Sequence, residues 1–216
     1  AYDGDVQYTW RDLTSQAISS EVPVAVGRYE LIATIPESNN NNSASCTWPF
    51  DIVEKSIEGE DITIGLSETD FMYDANIKQP KVRVMDLSRN QELVEDTDYT
   101  LSMPGSVNAG ENYEIVVTGR GNYKGTRKAY YNITKQDLKD AEVTISGTYV
   151  YHGSPVEPDP YQIRVVLNGL LVNASEYEVE YANNDAIGAA TVLIKAKDTG
   201  NYVGNAHGTF EILDPK

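Results

Sequence analysis

The chain has 216 residues, a net charge of −16, one cysteine, and aromatic residues dominated by 15 tyrosines. The acidity is spread out, −5 over residues 1–55, −4 over 56–135 and −7 over 136–216, so the surface repels phosphate backbones and argues against nucleic acid or an anionic membrane as partner. A lone Cys46 excludes an internal disulfide framework and a cysteine-based zinc site, and no apolar run reaches the length of a membrane helix.

In chain order, Tyr2-Asp3-Gly4 opens a short first stretch, in which Tyr8 and Trp10 share a strand face with Val6. That parity predicts a core position for both aromatics, and the same argument places Trp48 inward with Phe50 and Ile52. A helical turn is expected over Arg11 to Ala17, followed by the strand signal Val26-Gly27-Arg28-Tyr29. The insert Ser38-Asn39-Asn40-Asn41-Asn42-Ser43 precedes Cys46, which has no basic neighbour in sequence to activate its thiol. Ile62-Thr63-Ile64, Val82-Arg83-Val84 and Tyr113-Glu114-Ile115-Val116-Val117 alternate with period two and read as strands. Gln136 to Asp140 suits a second helical turn, and Val143-Thr144-Ile145 returns to strand. Gln162 to Leu167 leads into Asn168-Gly169, a hairpin signal. Tyr177, Val179 and Tyr181 then share one strand face while Glu178 and Glu180 take the other; Val192, Ile194 and Ala196 are expected inward, Lys195 and Lys197 outward.

The elements recur. Gly121-Asn122-Tyr123-Lys124-Gly125 returns as Gly200-Asn201-Tyr202-Val203-Gly204. Around it Tyr73 aligns with Tyr151, Pro80 with Pro158, Asp98-Tyr99 with Glu176-Tyr177, Gly110 with Gly188, and Tyr131-Asn132-Ile133 with Phe210-Glu211-Ile212. The spacing of 78 to 79 residues exceeds a solenoid unit and suits one small domain per copy. A shorter first copy shares the Tyr-Asp-Gly start, Val26-Gly27 and the ending Phe50-Asp51-Ile52. No strand signal stands ahead of Tyr2, so the first copy is expected to begin inside or just after its first strand, as part of a longer array. The predicted units are 1–55, 56–135 and 136–216, with linkers at Val53–Glu60 and Thr134–Asp140 whose Ile57 and Leu138 plug the junctions. The expected fold class is all-β, tandem Ig-like β-sandwich domains in an elongated array.

The motif string of residues 149–212 resembles the Ig-like repeats of bacterial surface proteins, sometimes labelled MBG or YDG-type. Residues 56–216 carry the resemblance; the first stretch lacks Gly-Asn-Tyr-x-Gly and carries the Asn-rich insert. Such repeats occur in tandem in large cell-wall and adhesin proteins, often of Gram-positive anaerobes. The resemblance implies an extracellular or cell-surface location and a non-enzymatic stalk or adhesin role.

The candidate sites follow. Gly121, Asn122, Tyr123 and Gly125, with Gly200, Asn201, Tyr202 and Gly204, read as a structural turn, glycines supplying backbone freedom and tyrosine packing with its hydroxyl on a nearby backbone group, as in a tyrosine corner. A sugar-stacking platform, if the chain has one, falls in the first stretch at Tyr8 and Trp10, which makes a glycan- or host-protein-binding module the alternative reading. A third reading is accessory domains of a secreted glycan-degrading enzyme. Glu95-Asp96-Thr97-Asp98 and Glu157-Pro158-Asp159 lack the spaced oxygens of a dedicated calcium loop and read as solvated turns. Asn132, Lys195 and Lys197 point outward, against a Lys–Asn crosslink. His152 and His207 are the only histidines, and no nucleophile elbow, zinc motif or phosphate loop is present. The expectation is no enzyme, no cofactor, no metal, and a monomeric segment whose partner is an unidentified host or cell-wall glycan or protein.

Overall fold

The computed structural model describes residues 5–38 and 42–215, so Tyr2-Asp3-Gly4 and Asn39 to Asn41 of the insert lie outside the described residues. The chain is almost entirely β, with three short 3₁₀ turns and no α-helix among the described residues. Its strands are β1 Gln7–Asp12, β2 Ile18–Ser19, β3 Gly27–Ile35, β4 Ala44–Ile52, β5 Lys55–Ser56, β6 Ile62–Leu66, β7 Asp70–Met72 and β8 Val82–Asp86. They continue as β9 Gln91–Glu92, β10 Tyr99–Ser102, β11 Gly110–Gly119, β12 Tyr123–Lys124, β13 Thr126–Thr134, β14 Gln136–Asp137 and β15 Glu142–Ile145. The last are β16 Tyr149–Val150, β17 Ile163–Leu167, β18 Leu170–Leu171, β19 Tyr177–Ala182, β20 Gly188–Ala196, β21 Tyr202–Val203 and β22 Asn205–Leu213. Two compact units result: one of residues up to 66, 82–103 and 114–129, the other of 67–81, 104–113 and 130–216.

In the first unit, β2-β1-β3-β4 form an antiparallel sheet in which Trp10 stands opposite Leu31, and Leu31 opposite Trp48. The helical turn expected over 11–17 is instead the end of β1 and a plain turn over Leu13–Ser15; Arg11 and Asp12 are held in the sheet opposite Glu30 and Tyr29, and Gln16 at φ 62° turns the chain out of the helical region. A second sheet, β6-β8-β9, and β10 paired with residues 116–119 of β11 surround a core of Ile57, Ile62, Val84, Leu93, Tyr99, Val117 and Tyr123. Each fully buried aliphatic side chain there contributes about 1.5–3 kcal/mol. Ile57 from the linker is 1% exposed and sits inside this core.

In the second unit, β7 pairs in parallel with residues 132–134 of β13, and Tyr131 and Ile133 turn inward. Leu138, on a 3₁₀ turn capped by the Asp137 carboxylate, is fully buried. The sheets β15-β17-β18 and β16-β22-β20-β19 follow. Asn168 and Gly169 both have positive φ, 49° and 82°, the conformation a two-residue hairpin demands and that Asn-Gly accepts at low cost. Alternation is clearest in β22, where Ala206, Gly208, Phe210 and Ile212 are buried and the residues between them exposed. Gly208 lies directly under β15, since a Cβ there would meet Val143 and Ile145 at 2.6–2.9 Å.

Candidate functional site

The Gly-Asn-Tyr-x-Gly segments form a constellation that the chain builds twice. In the first unit, Gly121 at φ 65° and Gly125 at φ 90° flank a detour between β11 and β13 that the bond from Gly119 N–H to the Gly125 carbonyl closes. In the second unit, Ala196 N–H donates to the Gly204 carbonyl in the same way, and Gly204 has φ 74°. Gly200 is glycine for another reason: a Cβ there would collide with the Glu176 carboxylate.

Each detour pairs with a short strand from a segment expected to be a linker. β12 pairs in parallel with β5, Tyr123 beside Lys55, and β21 pairs in parallel with β14, Tyr202 beside Gln136. Lys55 N–H donates to the Asn122 carbonyl at 2.9 Å and Gln136 N–H to the Asn201 carbonyl at 3.1 Å. The asparagine side chains reach further back. Asn122 Oδ1 accepts the Val26 amide at 2.8 Å, and Asn201 Oδ1 accepts the Ala109 amide at 2.7 Å. Val26 and Ala109 occupy the same place, one residue ahead of Gly27 and Gly110, which open β3 and β11. Asn201 is itself held by Glu176, which accepts from its backbone N–H at 2.7 Å and from its Nδ2 at 2.9 Å.

Both tyrosines are buried, and neither makes the backbone bond of a tyrosine corner. Tyr123 donates to Oδ2 of Asp86 at 3.1 Å. Asp86 is fully buried, and its other oxygen accepts from Lys55 Nζ and the Ser88 hydroxyl at 2.7 Å each; Lys55 also pairs with Asp61. Burial alone would push the Asp86 carboxyl up, but the bonds from Lys55, Ser88 and Tyr123 outweigh it and hold it at about 2. Lys55 loses solvation as well, and its two carboxylate partners raise its pKa nonetheless. Tyr202 sets its ring edge-on to Tyr73 at 5.3 Å, and burial, then Tyr73 and Glu176, push its hydroxyl up to about 12. This chemistry fastens β5 and β14: it offers a compensated buried ion pair and backbone clamps. Sequence reading missed Asp86, although its parity with Val82 and Val84 along β8 was a usable signal.

The second constellation is aromatic. Tyr8, Trp10 and Trp48 share one face of β2-β1-β3-β4, but the expected core positions do not hold. Trp48 is 72% exposed, Tyr8 53% and Val6 39%, while Trp10 is half-buried. Alternation told which residues share a face; no second layer among the described residues covers that face.

Of the remaining predicted residues, Cys46 lies on the aromatic face, opposite Ala33 and two residues from Trp48. His152, just after β16, and His207, on β22, are both exposed, and so is Cys46. Asp98 caps its own turn by accepting the Val94 amide, and the backbone N–H of Asp159 donates to the Gln162 side chain in a capping box. Among the described residues no three His, Cys, Asp or Glu side chains are grouped to hold a metal ion. Asn132 bonds the Asn112 amide and Asp70.

Compared with protein-family models and with curated proteins, the chain finds no match in either.

Proposed function

We propose that the chain is a run of three tandem Ig-like β-sandwich units, 1–55, 56–135 and 136–216, of the MBG or YDG type of bacterial surface repeat. In this reading it serves as a non-enzymatic extracellular stalk or adhesin segment that holds a binding region away from the envelope. One observation carries it: both Gly-Asn-Tyr-x-Gly segments fasten their own linker by β pairing and the preceding copy by an asparagine. A linker tied on both sides behaves as a stiff joint, whereas a Gly/Ser tether would not. Stiffness repeated along a chain is what a stalk needs and what a catalyst does not.

The exposed Tyr8, half-buried Trp10 and exposed Trp48 on one face favour the second reading, a glycan- or host-protein-binding module in the first copy. A glycan and extracellular-matrix array probed with the chain beside a Trp10→Ala variant separates the two. The stalk reading expects no specific binding; binding that the variant loses would replace it. Antibodies against the chain should label intact cells of its source, and labelling only after permeabilisation would remove the extracellular role.

A further inference from the structure

The two Gly-Asn-Tyr-x-Gly segments differ in how their asparagines are satisfied. In the second unit every donor of Asn201 is used. Its backbone N–H and Nδ2 give to the two oxygens of Glu176, at 2.7 and 2.9 Å, and Nδ2 also approaches Asn108 Oδ1 at 3.4 Å. In the first unit Asn122 keeps only the accepting half of this pattern, taking the Val26 amide on Oδ1 and the Lys55 amide on its carbonyl. Its backbone N–H and its Nδ2 have no partner among the described residues, and Nδ2 reaches solvent.

Three changes between the units produce this. The places match by bonding as well as by sequence: Tyr29 and Tyr113 donate their hydroxyls to the carbonyls of Ala25 and Asn108, and the carbonyls of Asp98 and Glu176 accept the Arg120 and Lys197 amides. Ala25 therefore stands for Asn108 and brings no side-chain oxygen. Asp98 stands for Glu176, one methylene shorter, and its Oδ2 is turned away to accept the Val94 amide at 2.9 Å. The third change adds a charge. The turn between β8 and β9 has four residues, Leu87 to Asn90, where that between β17 and β18 has two, and the longer turn carries Arg89. Arg89 approaches Asp86 only through Nε, at 4.0 Å, so the ends of its guanidinium have no partner among the described residues.

Asn122, Arg89 and Asp98 line a cavity of about 520 Å³ together with the apolar Pro23, Val24 and Ile52. That volume lies within the roughly 300–1,000 Å³ of small-ligand sites. We propose that the cavity binds a carboxylate on a short aliphatic stem. The carboxylate takes the N–H and Nδ2 of Asn122, the same two donors that hold the Glu176 carboxylate in the second unit. Arg89 supplies the charge that makes such bonds strong and offsets the repulsion from Asp98. The stem rests on Pro23, Val24 and Ile52, an aliphatic wall that offers the ring hydroxyls of a sugar acid no partner. A stalk needs no such site, and the inference stands apart from the extracellular role.

The test is an NMR titration of the isotope-labelled 216-residue chain with sodium propionate at constant ionic strength, following the backbone and side-chain amide signals of Asn122. Saturable shifts with a Kd on the order of millimolar are expected, as a ligand of a few heavy atoms allows, and none with propionamide, the neutral analogue. Arg89→Gln, on an exposed turn, should weaken binding at least about tenfold. Asp98→Glu rebuilds the Glu176 arrangement from the chain itself, so it should abolish binding while its far-UV CD melt stays at or above that of wild type. Glutamate blocked as its N-acetyl α-amide distinguishes the sources. Binding as tight as that of propionate assigns the site to an acidic side chain of a polypeptide, and binding of propionate alone assigns it to a free acid; both uphold the carboxylate site. No saturable shift at Asn122, equal shifts with propionamide, or undiminished binding by both variants would overturn the proposal. Glucuronate bound more tightly than propionate would overturn it in favour of a sugar acid.

Discussion

Replacing Asp86 by Asn tests whether the buried carboxylate fastens the linker. The wild-type carboxyl is held at about 2 against an ordinary 3.8, which corresponds to about 2.5 kcal/mol at neutral pH. The sign follows from the direction: a lowered carboxyl pKa stabilises the fold fully above about 4, and the contribution drains away as pH falls through about 2. The carboxamide of the variant keeps the shape and can still accept from Tyr123, while Lys55 retains Asp61 as partner, so no charge is orphaned. We expect Asp86→Asn to cost about 2–3 kcal/mol at pH 7, on the order of 10 °C in Tm for a unit of this size. Far-UV CD melts at a series of pH values between neutral and 2 read both effects, and the variant should lose much of the acid sensitivity of the first unit. A Tm within about 2 °C of wild type at pH 7, or an unchanged acid slope, would refute the assignment.

Asn201→Ala strips the Ala109 amide of its acceptor and Glu176 of a donor, and should lower the urea midpoint of the second unit by the equivalent of about 1–2 kcal/mol. Tyr202→Ala should cost about 3–5 kcal/mol through the cavity beside Tyr73; a smaller loss together with a vanished binding activity would show the motif to be a ligand site. Because the Tyr202 hydroxyl titrates at about 12 instead of 10.0, the stability it confers is intact below about 10 and lost as pH rises towards 12. Tyr202→Phe should therefore melt with a shallower alkaline slope than wild type. Glu178→Lys, on the exposed side of β19, should change stability by less than about 0.5 kcal/mol in the same melts.

Strand faces were legible in the sequence because period two is a local property. Tyr177, Val179 and Tyr181 showed it in β19, and Asn168-Gly169 announced the hairpin through its own backbone preference. The copies were legible too: Pro80 and Pro158 are both buried, as are Tyr99 and Tyr177. Trp48 was misread because parity identifies a face without saying whether anything covers it. The helical turn at 11–17 failed because Arg11 and Asp12 are taken up by sheet pairing with β3 and Gln16 adopts a left-handed φ of 62°, neither of which a local pattern announces. The recurrence of Gly-Asn-Tyr-x-Gly was plain, but its chemistry was not. Asn122 and Asn201 reach partners 96 and 92 residues earlier, and no local pattern encodes that distance.

Native-state hydrogen exchange of the Lys55, Ile57 and Gln136 amides tests most directly whether the linkers are fastened. These amides donate to the Asn122, Lys124 and Asn201 carbonyls, so each should be protected by several orders of magnitude relative to an unstructured peptide. Exchange at free-peptide rates would mean loose tethers, and the account of the motif as a joint would fall.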